Sequence, residues 1–208
     1  MKTRILTIAV VALALQACAT MSEDECAISD WHTIGYEDGA SGQPASRIGE
    51  HRKACAKHGV APDLAAYQAG RDEGLHEFCQ PDNGFNLGAR GGHYSGACPS
   101  DLDADFRDAY QAGRQLHELE SRVNSTASQI AYKKQQIDAV EQRMQDAEMG
   151  VISDDASIQE RARYLLEAKD LADEKNDLQA ELEELRRQKR VAQRALKRFR
   201  TTLAYNES

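Results

Sequence analysis

The chain has 208 residues, 34 of them acidic and 26 basic, for a formal net charge of −8. An acidic chain is a poor partner for nucleic acid, whose phosphates select basic surfaces. Aromatic residues make up only 6%, and the length allows either one ordinary domain or a small domain with a polar extension.

Residues 1–18 read MKTRILTIAVVALALQAC. Lys2 and Arg4 form a positive head, and Ile5 to Leu15 is apolar apart from Thr7. That run falls short of the roughly twenty apolar residues that cross a bilayer. A charged head, a short apolar run and small residues at the end predict a secretory signal over residues 1–17. Leu15-Gln16-Ala17-Cys18 resembles the bacterial lipobox, although Gln16 departs from the commonest choice at its place. The resemblance implies that the Cys18 sulfur is diacylated, the preceding peptide is cut and the new amino group is acylated. Three acyl chains hold a protein far more firmly than the marginal binding of one. Ala19 in place of Asp implies, by the sorting rule of such lipoproteins, an outer-membrane anchor facing the periplasm. Without residues 1–17 the chain loses Lys2 and Arg4, and its charge becomes −10.

After Cys18 the chain changes character near residue 100. All four prolines, twelve of the fourteen glycines and the other four cysteines come before it; Gly113 and Gly150 are the exceptions after it. Such a shift separates a compact module, residues 18–100, from a long helical segment, residues 101–208. The module repeats itself. AYQAGR occurs at Ala66–Arg71 and again at Ala109–Arg114. A looser pattern surrounds it: a ring, a Gly three residues on and another Gly four further. His32, Gly35 and Gly39 fit, as do Tyr67, Gly70 and Gly74, and Phe85, Gly88 and Gly92. Tyr110 and Gly113 fit with His117 in the last place. Positions i, i+3 and i+7 share one helical face, and each helical Gly costs about 1 kcal/mol against Ala. Repetition at that cost predicts short helices and turns packed closely around rings. No strand–turn–helix context supports a nucleotide-binding loop, and the charged surroundings argue against a membrane dimer motif.

Cys26, Cys55, Cys79 and Cys98 form an even set in an expected oxidising compartment, which predicts two disulfides. Of the three pairings, Cys26–Cys55 with Cys79–Cys98 closes the shortest loops. A zinc site would draw on Cys55 with His58, His76 with Cys79, and His93 with Cys98. The paired Cys-x-x-Cys half-sites of common structural zinc modules are missing, so neither a metal nor a cofactor is expected. Asp101, Asp103, Asp105 and Asp108 lack the glycine and terminal Glu of a calcium loop and fit the acidic start of a helix. No Ser or Cys nucleophile has a recognisable setting, and an enzyme is not expected.

From Leu116 a heptad is plain. Leu116, Val123, Ile130, Ile137, Met144 and Val151 form one row, with Leu119, Thr126, Lys133, Val140 and Ala147 beside it. A second heptad carries Tyr164, Leu171, Leu178, Leu185, Ala192 and Phe199, with Ala168, Lys175, Leu182, Lys189, Leu196 and Leu203. Sustained spacing of this kind predicts helix-on-helix packing. A break at Gly150–Asp155 puts the helices at about 104–149 and 154–203, folded as an antiparallel coiled-coil hairpin. Reversal near Ile152 would set Leu119 opposite Leu185 and Asp105 near Phe199. The acidic stretch Asp101–Glu120 would then meet the basic run Arg186–Arg200.

The fold class expected is mainly α: a small Gly/Cys-rich, disulfide-stapled module of short helices and turns, then the hairpin. LQAC, the repeated YQAGR, GLHEFC (Gly74–Cys79), GARGGHYSGACP (Gly88–Pro99) and the helical tail together resemble the DUF-2799 family of uncharacterised Gram-negative lipoproteins. That resemblance supports the architecture and implies no activity. The expected role is a non-enzymatic envelope lipoprotein that spaces, scaffolds or binds an envelope protein. The alternative is a periplasmic module for a cell-wall glycan or peptide, with possible attachment to peptidoglycan. Exposure of Trp31, Tyr36, Tyr67, Phe85, Tyr94 and Tyr110 would favour the ligand-binding alternative, and burial the structural role. Cys18→Ala is expected to leave an unprocessed precursor that takes up no acyl label; normal lipid labelling of that variant would refute the anchor.

Overall fold

The computed structural model describes residues 22–206, so Cys18 and the expected signal lie outside the described residues. Among these residues the chain forms helices and no strands: α1 Glu23–Ile28, α2 Trp31–Ala40, α3 Arg47–Ala56, α4 Leu64–Phe78, α5 Pro81–Ala89, α6 Asp103–Ile152 and α7 Ile158–Asn206. It divides into two compact units between Gly113 and Arg114.

In the first unit, short helices begin at side-chain caps. Ser22 and Glu25 form a capping box on α1, Asp30 accepts from the His32 amide at α2, and Asp63 accepts from the Ala66 amide at α4. Each supplies an acceptor for an amide that the helix leaves unpaired. Pro81 opens α5, where its missing N–H costs nothing. Gly91 ends that helix at φ 77°, with its amide bonded to the Gly88 carbonyl and that of Gly92 to Leu87. A residue with a β-carbon would be strained there.

Helices α2 and α4 pack backbone to backbone. A β-carbon at Gly35 would land on the carbonyl oxygen of Tyr67, and one at Gly39 on that of Arg71. Reciprocally, one at Gly70 would land on His32 O and one at Gly74 on Tyr36 O. The expected close approach is therefore present. Its cause is that two helices can reach this separation only where both lack side chains, which also brings Cα–H groups towards carbonyl oxygens. Gly113, in the second AYQAGR, repeats the contact against Phe85 O, and Gly84 meets Phe106 O. Gly92 differs from expectation: it follows α5 in a turn and packs on Leu87, so only Phe85 and Gly88 of that triplet lie on a helix.

Two small cores flank these contacts. Cys26, Trp31, Ala54, Cys55 and Tyr67 form one. Leu75, Cys79, Leu87 and Phe106 form the other, with Phe78, Tyr94 and Tyr110 packed against it. The disulfides join Cys26 to Cys55 and Cys79 to Cys98, with Cα–Cα distances of 5.5 and 5.7 Å. This is the sequential pairing. The first bridge joins α1 to α3 in one core and the second ties the segment after α5 to the end of α4 in the other; cross-links of this kind contribute about 2–4 kcal/mol.

In the second unit α6 and α7 pack along the predicted seam. Ile137, Val140, Leu171, Leu178 and Leu182 are buried together, with Ile130 and Met144 partly buried beside them. Three polar seam positions, Thr126, Lys133 and Lys175, have partners. Thr126 is buried and donates to the Arg122 carbonyl at 2.7 Å. Lys133 of α6 reaches Glu181 of α7 at 2.7 Å, and Lys175 of α7 reaches Glu141 of α6 at 2.9 Å. Both lysines lay their stems along the seam and hold their ammonium groups at its edge.

The turn departs from expectation. Helix α6 continues through Gly150 to Ile152, and α7 starts at Ile158. The Tyr164 ring covers Gly150, where a β-carbon would strike it, so this Gly serves packing and does not stop the helix. Ser157 and Glu160 make the capping box of α7. The Arg161 guanidinium and Nε donate to the carbonyls of Val151, Ser153 and Ala156 and so take up the acceptors at the end of α6. The later turn moves the register. Glu120 pairs with Arg200, so Leu119 does not lie opposite Leu185. Of the expected pairing between Asp101–Glu120 and Arg186–Arg200, the pair Glu120–Arg200 is present. Arg186 and Arg187 instead pair with Glu183 and Glu184 on their own helix, and Arg107 with Asp103.

Glycine contact and glycine conformation can be separated by mutation. Gly70→Ala is expected to lower stability by about 3 kcal/mol or more, because backbone must move to admit the methyl group. A β-carbon at Gly49, inside α3, would meet no atom within 4 Å, so Gly49→Ala is expected to raise stability by about 0.5–1 kcal/mol. Urea unfolding of both variants measures the contrast, and equal effects would refute the backbone contact.

Candidate functional site

A group of buried and partly buried polar side chains gathers on Asp38 of α2. His51 of α3 places Nε2 2.7 Å from Asp38 Oδ2. The Tyr67 hydroxyl of α4 donates to the same oxygen at 2.8 Å. Arg47 of α3 brings Nε to 3.9 Å from Oδ1 and pairs with Glu50 through Nη1. His51 is only 5% exposed, and its ring meets Trp31 and Tyr67 edge-on, at centroid distances of 6.5 and 6.1 Å. A carboxylate oxygen can only accept, so the contact is a hydrogen bond when His51 Nε2 carries a proton. His51 Nδ1 is buried with no hydrogen-bond partner among the described residues.

The glycine contacts put this group together. Asp38 lies one residue before Gly39 and Tyr67 three before Gly70, so the close approach of α2 and α4 sets the reach between carboxylate and hydroxyl. The Cys26–Cys55 bridge holds α3, which carries His51, against α1. A cleft of about 480 Å³ opens beside the group, lined by Asp30, Ile34, Asp38, Arg47 and His51 among others.

Acid–base chemistry needs a nucleophile or substrate proton within reach of the base. The hydroxyls at this cleft point elsewhere: Ser29 donates to the Glu25 carbonyl, and Thr33 to Asp30 Oδ2 at 2.7 Å. One carboxylate thus joins α2, α3 and α4.

A second tie sits around Tyr94. Its hydroxyl donates to Asp103 Oδ1 at 2.6 Å and accepts from the Cys98 amide at 3.1 Å. Its ring packs on Phe106 and Tyr110, and Arg107 pairs with Asp103. Tyr110 donates to the Gly92 carbonyl at 3.0 Å.

The four cysteines expected as disulfides are all so bonded. Of the histidines weighed for zinc, His58 lies 3.6 Å from Glu23. Among the described residues no three His, Cys, Asp or Glu side chains converge as metal ligands. Trp31 and Tyr67 are buried, and Tyr36, Phe85, Tyr94 and Tyr110 are partly buried. Asp38, Arg47 and His51 were not singled out by sequence reasoning. Their signal, one acid between the two glycines of α2, becomes meaningful only once α2 and α4 are known to touch.

A family model described as a protein of unknown function (DUF2799) matches residues 30–115. Over that span the chain is similar to the family. It takes in both sets of glycine contacts, Asp38, His51, Tyr67 and the Cys79–Cys98 bridge, and stops at the start of the second unit. No curated protein and no solved structure matches the chain.

Burial, and then the bond to Asp38, holds the Tyr67 hydroxyl protonated well above the usual tyrosine range. Burial and Asp103 push Tyr94 the same way. Both groups therefore lose their protons more readily in the unfolded chain, where tyrosine ionises near about pH 10. The stability they contribute is complete below that pH and falls as the pH rises above it. An ultraviolet titration is expected to show a late tyrosinate component that coincides with unfolding and shrinks in Tyr67→Phe. Ionisation of Tyr67 within the usual tyrosine range, near about pH 10, would refute the assignment.

Proposed function

We propose that the chain is a non-enzymatic lipoprotein of the cell envelope, held in the outer membrane through Cys18 and facing the periplasm. There it serves as a structural, spacer or protein-interaction factor, with α6 and α7 acting as a coiled coil. The observation that carries this reading is the burial of the rings. Trp31 and Tyr67 lie within the first core, and Tyr94 packs between Phe106 and Tyr110. A glycan-binding face needs exposed ring surfaces for a sugar to stack on, and the rings here are committed to helix packing and to the ties on Asp38 and Asp103.

The hairpin supports the same reading. Helices of 50 and 49 residues extend about 75 Å at 1.5 Å per residue. Large apolar side chains remain exposed around the turn between them: Met149, Ile152 and Ile158, with Leu165 and Leu166 further along α7. Tyr132 and Val191 are exposed elsewhere on the hairpin, and exposed apolar groups of this kind suit contact with another protein.

Photo-crosslinkers placed at Ile158, Leu166 and other exposed hairpin positions in living cells test the proposal. Discrete protein adducts in the envelope fraction are expected. An absence of adducts at every hairpin position, with the purified protein enriched on peptidoglycan, would overturn it in favour of a cell-wall binding module.

A further inference from the structure

Charge along the hairpin is segregated. Residues 135–184, which include the turn, hold fifteen Asp or Glu and five Lys or Arg. The remaining parts, residues 114–134 and 185–206, hold two acids and twelve bases. These two stretches lie side by side, as the Glu120–Arg200 pair and the cleft shared by Arg122, Thr126, Arg187 and Ala192 attest. The hairpin thus has one half with an excess of ten negative charges and another with an excess of ten positive charges.

Internal ion pairs leave much of this charge unmatched. No acid lies between Glu184 and Glu207. Arg190, Arg194 and Arg198 follow one another at four-residue spacing and are exposed, while Leu185, Ala192 and Leu196 turn to the seam. Those three arginines make no ion pair among the described residues, because the ion pairs of the basic run are made by Arg186, Arg187 and Arg200. In the acidic half Glu141, Glu174 and Glu181 have cationic partners across the seam, whereas Asp170, Asp173 and Asp177 have none among the described residues.

We propose that two copies of the hairpin associate side by side and antiparallel, the basic half of each lying along the acidic half of the other. This deepens the interaction reading above by naming a partner, and rests on it. The equal and opposite imbalance of the two halves selects a second copy over a generic anionic surface. A bilayer or soluble polyanion would neutralise the basic half alone, whereas an antiparallel copy neutralises both at once. Parallel pairing is opposed, since it sets like charge against like. Exposed pairs are individually weak, and their field is screened within about 8 Å at physiological salt. The association is therefore reversible and depends on ionic strength.

A charge swap tests it, using the mature chain with Cys18→Ala so that no lipid drives association. Sedimentation equilibrium at about 0.02 M salt is expected to show a dimer whose Kd rises at least about tenfold at 0.3 M. One variant carries Arg190→Glu, Arg194→Glu and Arg198→Glu; another carries Asp170→Arg, Asp173→Arg and Asp177→Arg. Each alone is expected to be monomeric, and the two mixed are expected to recover a one-to-one dimer. Circular dichroism checks that helix is kept; should a variant lose it, the salt dependence of the unswapped chain decides. A monomer at both salts, a dimer indifferent to salt, or no recovery on mixing folded variants would overturn the proposal. So would a chain that stays monomeric but binds phosphatidylglycerol vesicles through the three arginines. Failure here leaves the crosslinking result to decide the wider reading by itself.

Discussion

Two helices can approach until backbone meets backbone only if neither carries a side chain at the point of contact. Gly35 and Gly39 on α2 meet this condition against Gly70 and Gly74 on α4. Much of the first unit follows from that separation. It brings the Tyr67 hydroxyl to Asp38, and Asp38 in turn holds His51 and Arg47 of α3. A wider spacing would leave this partly buried carboxylate short of a donor, at a cost in hydrogen bonding. Steric contact and polar satisfaction are thus one constraint here.

The same device occurs twice. Gly70 in the first AYQAGR rests on the His32 carbonyl, and Gly113 in the second rests on the Phe85 carbonyl. The tyrosine three residues earlier also has a matching task. Tyr67 donates to Asp38 in the first pair, and Tyr110 donates to the Gly92 carbonyl in the second. The sequence repeat therefore marks a duplicated helix-pair contact in which the hydroxyl acceptor has changed from a side chain to backbone. That change explains why the polar group around Asp38 has no twin: a carbonyl accepts the tyrosine but gathers no histidine or arginine.

Local patterns were legible where one period decides the outcome. Leu171, Leu178 and Leu182 repeat at heptad spacing and are buried in the seam. The cysteines could be paired by loop length because each bridge closes a short segment. The hairpin register was not legible, because it depends on where the turn sits. Gly150 reads as a helix stop, yet the Tyr164 ring covers it and the helix runs on, while Arg161 and the Ser157–Glu160 box set the turn further along. A few residues of displacement in a turn carry through to every pair along the two helices. Asp38 and His51, thirteen residues apart on different helices, could not be joined without the tertiary contact that joins them.

The two units hold together by different means, and this bears on where an outward role can reside. In the first, charged and aromatic chemistry is turned inward: Asp38, His51, Tyr67, Tyr94 and Asp103 bond to one another or to backbone. In the second, the seam needs little beyond apolar residues at heptad spacing and two lysines at its edge. The outer faces of α6 and α7 are free of structural duty, since substitutions on exposed helical surface usually change stability by less than about 0.5 kcal/mol. A charge excess sorted to opposite ends of those faces is therefore not explained by the packing of the hairpin itself. Such sorting sets like charges beside one another within each half, which is unfavourable for an isolated helix pair. A complementary surface outside the hairpin, such as the second copy proposed above, would offset that cost.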